Sequence, residues 1–282
     1  MRAKNGSIEI STATVKAALG PFASIKELGK GQFGTTFLAS RGDGLFVLKV
    51  VHRPDLPEYL WEREVNALSV VNHPNVVGFR GSGSFKFQGD ELLFIEMEFI
   101  AGGSIEARLQ ERSMPEDASA VRDLFIGLLR GLAEIHELGI IHRDLKPGNV
   151  GLRDAMFRKP VLLDFGLAKV LWMSSHTEYP ARIGTIAYMS PEQLRGGPAR
   201  RRSDLFSAAV VVYEAGTGHH PFVDKGVRTA GALLTRIERG ATRPSALRPV
   251  FDDSVEQVLM RSLSVREHQR LSVEQALVDL GG

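Results

Sequence analysis

Residues 139–152, GIIHRDLKPGNVGL, crowd an acid, an amide, a histidine and two cations between apolar neighbours, an unusual density of polar groups beside a core. Asp144 has the character of a carboxylate that orients a hydroxyl and accepts its proton. Lys146, two residues on, can neutralise a migrating phosphoryl group. Asn149 offers a hard oxygen, and so does Asp164, which ends the apolar run VLLD. Oxygens of that kind are what Mg²⁺ prefers, and Mg²⁺ is commonly shared with phosphates.

Two earlier stretches fit the same chemistry. GKGQFG places Gly29, Gly31 and Gly34 at a spacing that lets backbone N–H groups approach an anion. A plain glycine-rich hairpin turn would read the same way. A dinucleotide fingerprint would not, because the strand-like TTFLAS follows instead of a helix. No Gly-Lys-Ser/Thr closes the loop, so it is not a Walker A motif either. Lys49 ends the apolar run LFVLK, where its charge needs a partner. Glu64, three residues after Trp61 and four before Leu68, shares their inward helix face and is the favoured partner.

The elements that must position these groups follow from periodicity. FASIKEL, TTFLAS and LFVLKVV read as strands, and VVGFRGSGSF with ELLFIEMEF as a hairpin. Between them, Leu60, Trp61, Val65 and Leu68 recur at helical spacing, with Pro57 suited to a first turn. Beyond residue 104 the chain reads as helical. Leu124, Leu128, Leu132 and Ile135 line one face of a long helix, and DLFSAAVVVYEAG is apolar nearly all round, as a buried helix would be. VEQVLMRSL and SVEQALVDL read as shorter helices, each opening after a serine. The outline is a small β-rich lobe, residues 1–100, followed by a larger helical lobe, residues 101–282, and a cleft between lobes is a favoured ligand site.

Composition sets outer limits. The 282 residues are 43% apolar and 24% charged, ordinary for a globular domain, and the formal charge of +2 gives no reason to expect nucleic acid. The absence of cysteine excludes disulfides, thiol nucleophiles and cysteine-held metals. No secretory signal or membrane-length apolar run is present, so a cytoplasmic location without a membrane segment is expected.

At the same residues the sequence resembles the protein kinase superfamily, along nearly its whole length. GKGQFG is similar to the nucleotide-covering loop, FVLK to the strand with the phosphate-pairing lysine and WEREVNAL to the control helix. HRDLKPGN resembles the catalytic loop, DFG the magnesium motif and SPE the end of the activation segment. The resemblance implies an α+β, bilobal fold: a small β-rich N-lobe with one control helix, and a larger, mainly α-helical C-lobe. It implies ATP and Mg²⁺ as cofactors and a protein with Ser or Thr acceptors as partner, with a homodimer left open.

Residue by residue, the resemblance makes Asp144, Lys146, Lys49 and Glu64 catalytic. It places Gly29, Gly31, Gly34, Val47, Lys49, Met97, Glu98, Ile100 and Gly151 around the nucleotide, and assigns Asn149 and Asp164 to the metal. Met97 would be the gatekeeper and Glu98–Ile100 the hinge to adenine. Asp204 would tie the catalytic loop to the buried helix, and Glu192 would pair with Arg270. Lys146, Pro147 and Thr185 favour Ser/Thr over tyrosine specificity, and the wording IGTIAYMSPEQLRG most resembles eukaryotic-like kinases of bacteria. Arg143 beside Asp144 implies control by phosphorylation of the activation loop, with Ser174, Ser175 and Thr177 as acceptors, although incidental hydroxyls in a polar loop read the same way.

Three positions depart from the family pattern. Thr36 replaces a valine, Val47 an alanine, and Gly151 the large apolar residue that forms the floor under the base. Unless a neighbour fills the space, losing that floor weakens adenine burial by ~1–2 kcal/mol. Gly151→Leu is then expected to lower the apparent constant for ATP. Arg200, Arg201 and Arg202 read either as a solvated run or as a reader of acidic substrate. A pseudokinase scaffold is the rival function, disfavoured because Lys49, Glu64, Asp144, Asn149 and Asp164 are all kept. A small-molecule kinase is disfavoured by Lys146-Pro147 and Ser190-Pro191-Glu192.

Overall fold

The structure, a computed structural model, describes residues 10–30, 34–42, 44–51, 58–164, 186–224 and 227–282, apart from the side chains of residues 58–60, 63, 64 and 67. Gly31, Ser174, Ser175, Thr177, Thr185 and the side chain of Glu64 therefore lie outside the described residues. The chain divides into two compact units, residues 1–72 with 77–99 and residues 73–76 with 100–282. No helix among the described residues is long and apolar enough to cross a membrane.

The first unit is built on one antiparallel sheet. Its strands are β1 (Ser24–Lys30), β2 (Gly34–Arg41), β3 (Gly44–Val51), β4 (Phe79–Phe87) and β5 (Asp90–Glu98), in the order β1-β2-β3-β5-β4. Because side chains alternate along a strand, the sheet has two faces. Phe37, Ala39, Phe46, Leu48 and Val50 occupy one and are buried with Phe85 and Leu92. Thr36, Val47 and Lys49 occupy the other.

Helix α1 (Thr12–Leu19) joins the buried cluster through Val15, as does Ile10 just before it; both are fully buried. Its cap is Ser11, whose hydroxyl accepts from the Thr14 N–H. The sequence reading did not anticipate this helix. Eight residues are too few to be helical on their own, so tertiary packing supplies its stability. The anticipated control helix is α2 (Glu58–Val70), with Trp61 and Leu68 buried and Val65 partly so.

The second unit is mainly helical. It contains α3 (Ile105–Gln110), α4 (Ala118–Glu137), the short hairpin β6 (Val150–Leu152) and β7 (Pro160–Leu162), α5 (Pro191–Leu194), α6 (Arg201–Thr217), α7 (Ala230–Arg239), α8 (Asp253–Ser262) and α9 (Val273–Leu280). Leu124, Leu128, Leu132 and Ile135 of α4 are fully buried, as their spacing predicts. Helix α6 is buried on every side from Ser203 to Tyr213, in keeping with its all-round apolar sequence. Ser272 caps α9, but α8 is capped by Asp252, whose side chain accepts from the Val255 N–H; Ser254 lies one residue inside the helix.

Helix α4 carries glycines where β7 comes close. A Cβ on Gly127 would lie 2.5 Å from the Pro160 ring, and one on Gly131 2.9 Å from Leu162. Asn75 meets both α4 and β7: the Leu162 N–H donates to the Asn75 carbonyl at 2.8 Å, and the Asn75 amide donates to the Pro160 carbonyl at 2.7 Å. These bonds bring residues 73–76 into the second unit. They also fix the strand that delivers Leu163 and Asp164.

Candidate active site

The loop between α4 and β6 is held from below by one carboxylate. Asp204, in the first turn of α6 and 1% exposed, accepts from the His142 N–H at 2.8 Å and the Arg143 N–H at 2.9 Å. His136, at the end of α4, lies 2.8 Å from the same carboxylate through Nε2. Two consecutive backbone donors on one buried acceptor fix both the height and the direction of the loop. The tie expected of Asp204 is present.

Above this anchor the chain turns sharply. The Asp144 N–H donates to the His142 carbonyl at 2.9 Å, and Arg143 between them has φ +66°. Such a three-residue turn about a positive φ is rare and strained, and it persists only where the surroundings impose it. The Asp204 bonds impose it from one side. From the other, the Gln193 side chain donates to the Arg143 carbonyl at 3.4 Å. The turn lifts the Asp144 side chain into a small polar cluster, and sequence reasoning missed the contribution of Gln193.

Within that cluster Asp144 Oδ2 accepts from Lys146 Nζ at 3.0 Å and from Asn149 Nδ2 at 3.1 Å. Asn149 Nδ2 also donates to the Asp144 carbonyl at 2.7 Å. Because both groups facing it are acceptors, the amide nitrogen must point at Asp144, which turns Oδ1 away. Asp164 follows directly on Leu163, whose N–H donates to the Asn149 carbonyl at 2.9 Å. An amide oxygen and a carboxylate are hard-oxygen donors of the type that would suit Mg²⁺. His142 Nε2 lies 3.2 Å from the Leu163 carbonyl. Burial lowers the His142 pKa despite the pull of Asp204, Asp144 and Asp164, so the ring braces the loop in its neutral form.

A second brace lies beneath α5. Arg270, 2% exposed, donates to both Glu192 oxygens at 2.8 Å, the pairing anticipated from sequence, and Ser203 adds a bond at 2.7 Å. Burial alone would raise the Glu192 carboxyl, but the bonds from Arg270 and Ser203, with the guanidinium charge, hold it down at about 2. Two side chains of the arginine run and one of its backbone carbonyls are tied into the fold. Arg200 pairs with Glu267, Arg201 donates to the His136 carbonyl, and the Arg202 carbonyl accepts from Arg270. The solvated-run reading is the nearer one, with two of the three also tied into the fold.

In the first unit the register places Val47, Lys49 and Met97 on one face of the sheet. Lys49 pairs with Thr36 on β2 and Ile95 on β5, and Val47 pairs with Leu38 and Met97. Gly29 pairs with Thr36 beside a bulge. Gly34 is required by close approach, since a Cβ there would lie 2.3 Å from the Val50 carbonyl oxygen. The Glu98 N–H donates to the Gly78 carbonyl at 2.8 Å.

The space over Gly151 is occupied. A Cβ on this residue would lie 3.1 Å from Ile100 Cγ2 and 3.2 and 3.3 Å from the two Leu163 methyls. Ile100 and Leu163 are thus the neighbours beside the position, and the effect of Gly151→Leu on nucleotide binding stands as an expectation. An added side chain meets the side chains already packed over this position.

Comparison with known proteins agrees with the geometry. A family model described as the protein kinase domain matches residues 22–279. The chain is 30% identical over 267 residues to a probable serine/threonine-protein kinase PknB of Lactococcus lactis, covering 91% of this chain and 41% of that protein. It is 32% identical over 268 residues to the DNA damage-responsive serine/threonine-protein kinase RqkA of Deinococcus radiodurans, covering 93% and 39%. The chain thus spans about two fifths of the length of these curated relatives. Among solved structures, Rad53 in complex with AMP-PNP superimposes with a TM-score of 0.73 at 26% identity, over 91% of this chain and 64% of that one.

Proposed function

The chain belongs to the protein kinase family, and from that premise we propose that it transfers the γ-phosphoryl group of ATP to Ser and Thr hydroxyls of proteins. The observation that carries this reading is the cluster of Asp144, Lys146 and Asn149 on a loop clamped by Asp204. Asp144 orients the acceptor hydroxyl and takes its proton as the new O–P bond forms. The bond from the γ-phosphorus to the bridging oxygen breaks, and ADP leaves with that electron pair. Lys146, held at the same carboxylate, offsets negative charge on the transferring group. Lys49 has the matching role on the nucleotide side. Asn149 and Asp164 would hold Mg²⁺, which would supply charge neutralisation at the phosphates. Catalysis is then positioning and charge compensation.

The Ser/Thr assignment is supported by Lys146-Pro147 and by the names of the relatives. Incubation with γ-labelled ATP, Mg²⁺ and casein, followed by acid hydrolysis, should yield phosphoserine and phosphothreonine; label on tyrosine alone would overturn the assignment. Self-labelling at Ser174, Ser175 or Thr177 is part of the same proposal. Mass spectrometry after incubation with ATP should find phosphate there, and an unmodified segment in an active enzyme would remove it.

A further inference from the structure

Gln193 is the third residue of α5, the position where a capping box places Glu or Gln. Capping uses only the acceptor half of that side chain. Here Oε1 accepts from the Ser190 N–H at 3.1 Å and from the Ser190 hydroxyl at 3.0 Å. Two donors on Oε1 fix which way the amide faces, so Nε2 points to the opposite side. There it donates to the Arg143 carbonyl at 3.4 Å. The side chain is 6% exposed, and little water competes for either end.

The carbonyl it reaches belongs to the peptide that carries Asp144. A peptide unit is planar, with its carbonyl and N–H directed oppositely. The N–H end of this one donates to the His142 carbonyl at 2.9 Å, about Arg143 at φ +66°. Gln193 holds the carbonyl end. With both ends held, the plane has one orientation and Asp144 leaves it in one direction. Asp204 grips the two N–H groups before this peptide and, as an acceptor, has nothing to offer the carbonyl.

The other end of Gln193 meets the chain that leads into α5, which is seated on α6 and the turn after it. The Ser207 hydroxyl donates to the Tyr188 carbonyl at 2.7 Å, and the Tyr188 hydroxyl donates to Glu214 at 2.6 Å. His220 Nε2 lies 3.1 Å from the Ala187 carbonyl. We propose that Gln193 is a positioning residue for phosphoryl transfer. Its donor half sets the Arg143–Asp144 peptide, and its acceptor half refers that peptide to the end of the activation segment at Ser190. This rests on the kinase reading above and adds to it a route from that segment to Asp144 through one amide.

Kinetics with γ-labelled ATP and casein, with melting curves, on Gln193→Glu and Gln193→Met test this. Each variant is assayed well below its melting temperature, so that turnover is per folded enzyme. Gln193→Glu keeps the acceptor for Ser190 but sets an oxygen against the Arg143 carbonyl, whereas Gln193→Met removes donor and acceptor together. Both should lower kcat about tenfold, less than a full 1 Å displacement of Asp144 would, because the bond is long. KM for ATP and for casein should stay within about twofold, the pattern of an interaction that matters in the transition state. A residue that only caps α5 would lower the melting temperature in Gln193→Met and leave kcat untouched in Gln193→Glu. Wild-type kcat in Gln193→Glu, or in Gln193→Met should the first variant not fold, overturns the proposal and leaves the kinase reading intact. A wild-type chain that transfers no label overturns the kinase reading itself.

Discussion

Replacing Asp204 should damage stability and catalysis by separable amounts. Its carboxylate is 1% exposed and faces the His142 N–H, the Arg143 N–H and His136 Nε2 at 2.8–2.9 Å. Asp204→Ala leaves three buried groups without a partner. At ~1–3 kcal/mol for each, and with partial relief from entering water, the loss is about 3–6 kcal/mol. Asp204→Asn keeps one oxygen, which can serve two of the three, while its NH₂ faces the third; about 2 kcal/mol is lost. The kinetic effect has a different origin. Arg143 at φ +66° stores roughly 1–3 kcal/mol of strain. Once its clamp weakens the turn relaxes, and a shift of Asp144 by about 1 Å lowers turnover about 100-fold. Denaturant unfolding with labelled-ATP kinetics on Asp204→Asn should show a modest loss of stability, a large fall in kcat and little change in ADP affinity. Wild-type unfolding with wild-type kcat in Asp204→Ala would refute the clamp.

His220 should make folding sensitive to mild acid. Its Nδ1 accepts the N–H groups of Phe222 and Val223 and its Nε2 lies 3.1 Å from the Ala187 carbonyl, so both nitrogens are committed in the neutral form. Burial lowers its pKa to about 4, outweighing the Ala187 bond. The unfolded chain therefore takes up the proton first, and stability present above pH ~6.5 is lost as the pH falls toward ~4, by up to about 3 kcal/mol. His220→Gln should flatten unfolding free energy across that window; an unchanged slope would exclude His220 as its source. Val15→Ala should lower stability by about 2 kcal/mol if α1 is integral to the first unit, whereas a change below about 0.5 kcal/mol would mean that α1 is dispensable.

The parts of the site legible in the sequence are those where polar residues stand against an apolar background. Asp144, Lys146, Asn149 and Asp164 announce themselves because a core-adjacent charge needs a use, and Asp204 and the Glu192–Arg270 pair followed from the resemblance. What could not be read depends on direction and distance. The neighbours of Gly151 are Ile100 and Leu163, distant in sequence, and Leu163 is brought there by the bond of its N–H to the Asn149 carbonyl. Helix α1 has one buried residue, and its stability lies in the sheet it touches. Arg200 and Arg201 look alike in sequence, yet the side chain of Arg200, just before α6, reaches Glu267 and that of Arg201 reaches the His136 carbonyl. The cap of α8 fell to Asp252 because Asp252, Asp253 and Ser254 are all good capping types, and composition alone does not choose among them.

The central claim is that Asp144 is the group through which phosphoryl transfer runs. Its most direct test is the initial rate of label transfer from γ-labelled ATP to casein by wild type and Asp144→Asn, with ADP affinity measured on both. The account predicts ADP affinity within about twofold and a rate at least about 100-fold lower in the variant, as expected for the loss of a general base. Equal rates in the two proteins would contradict it.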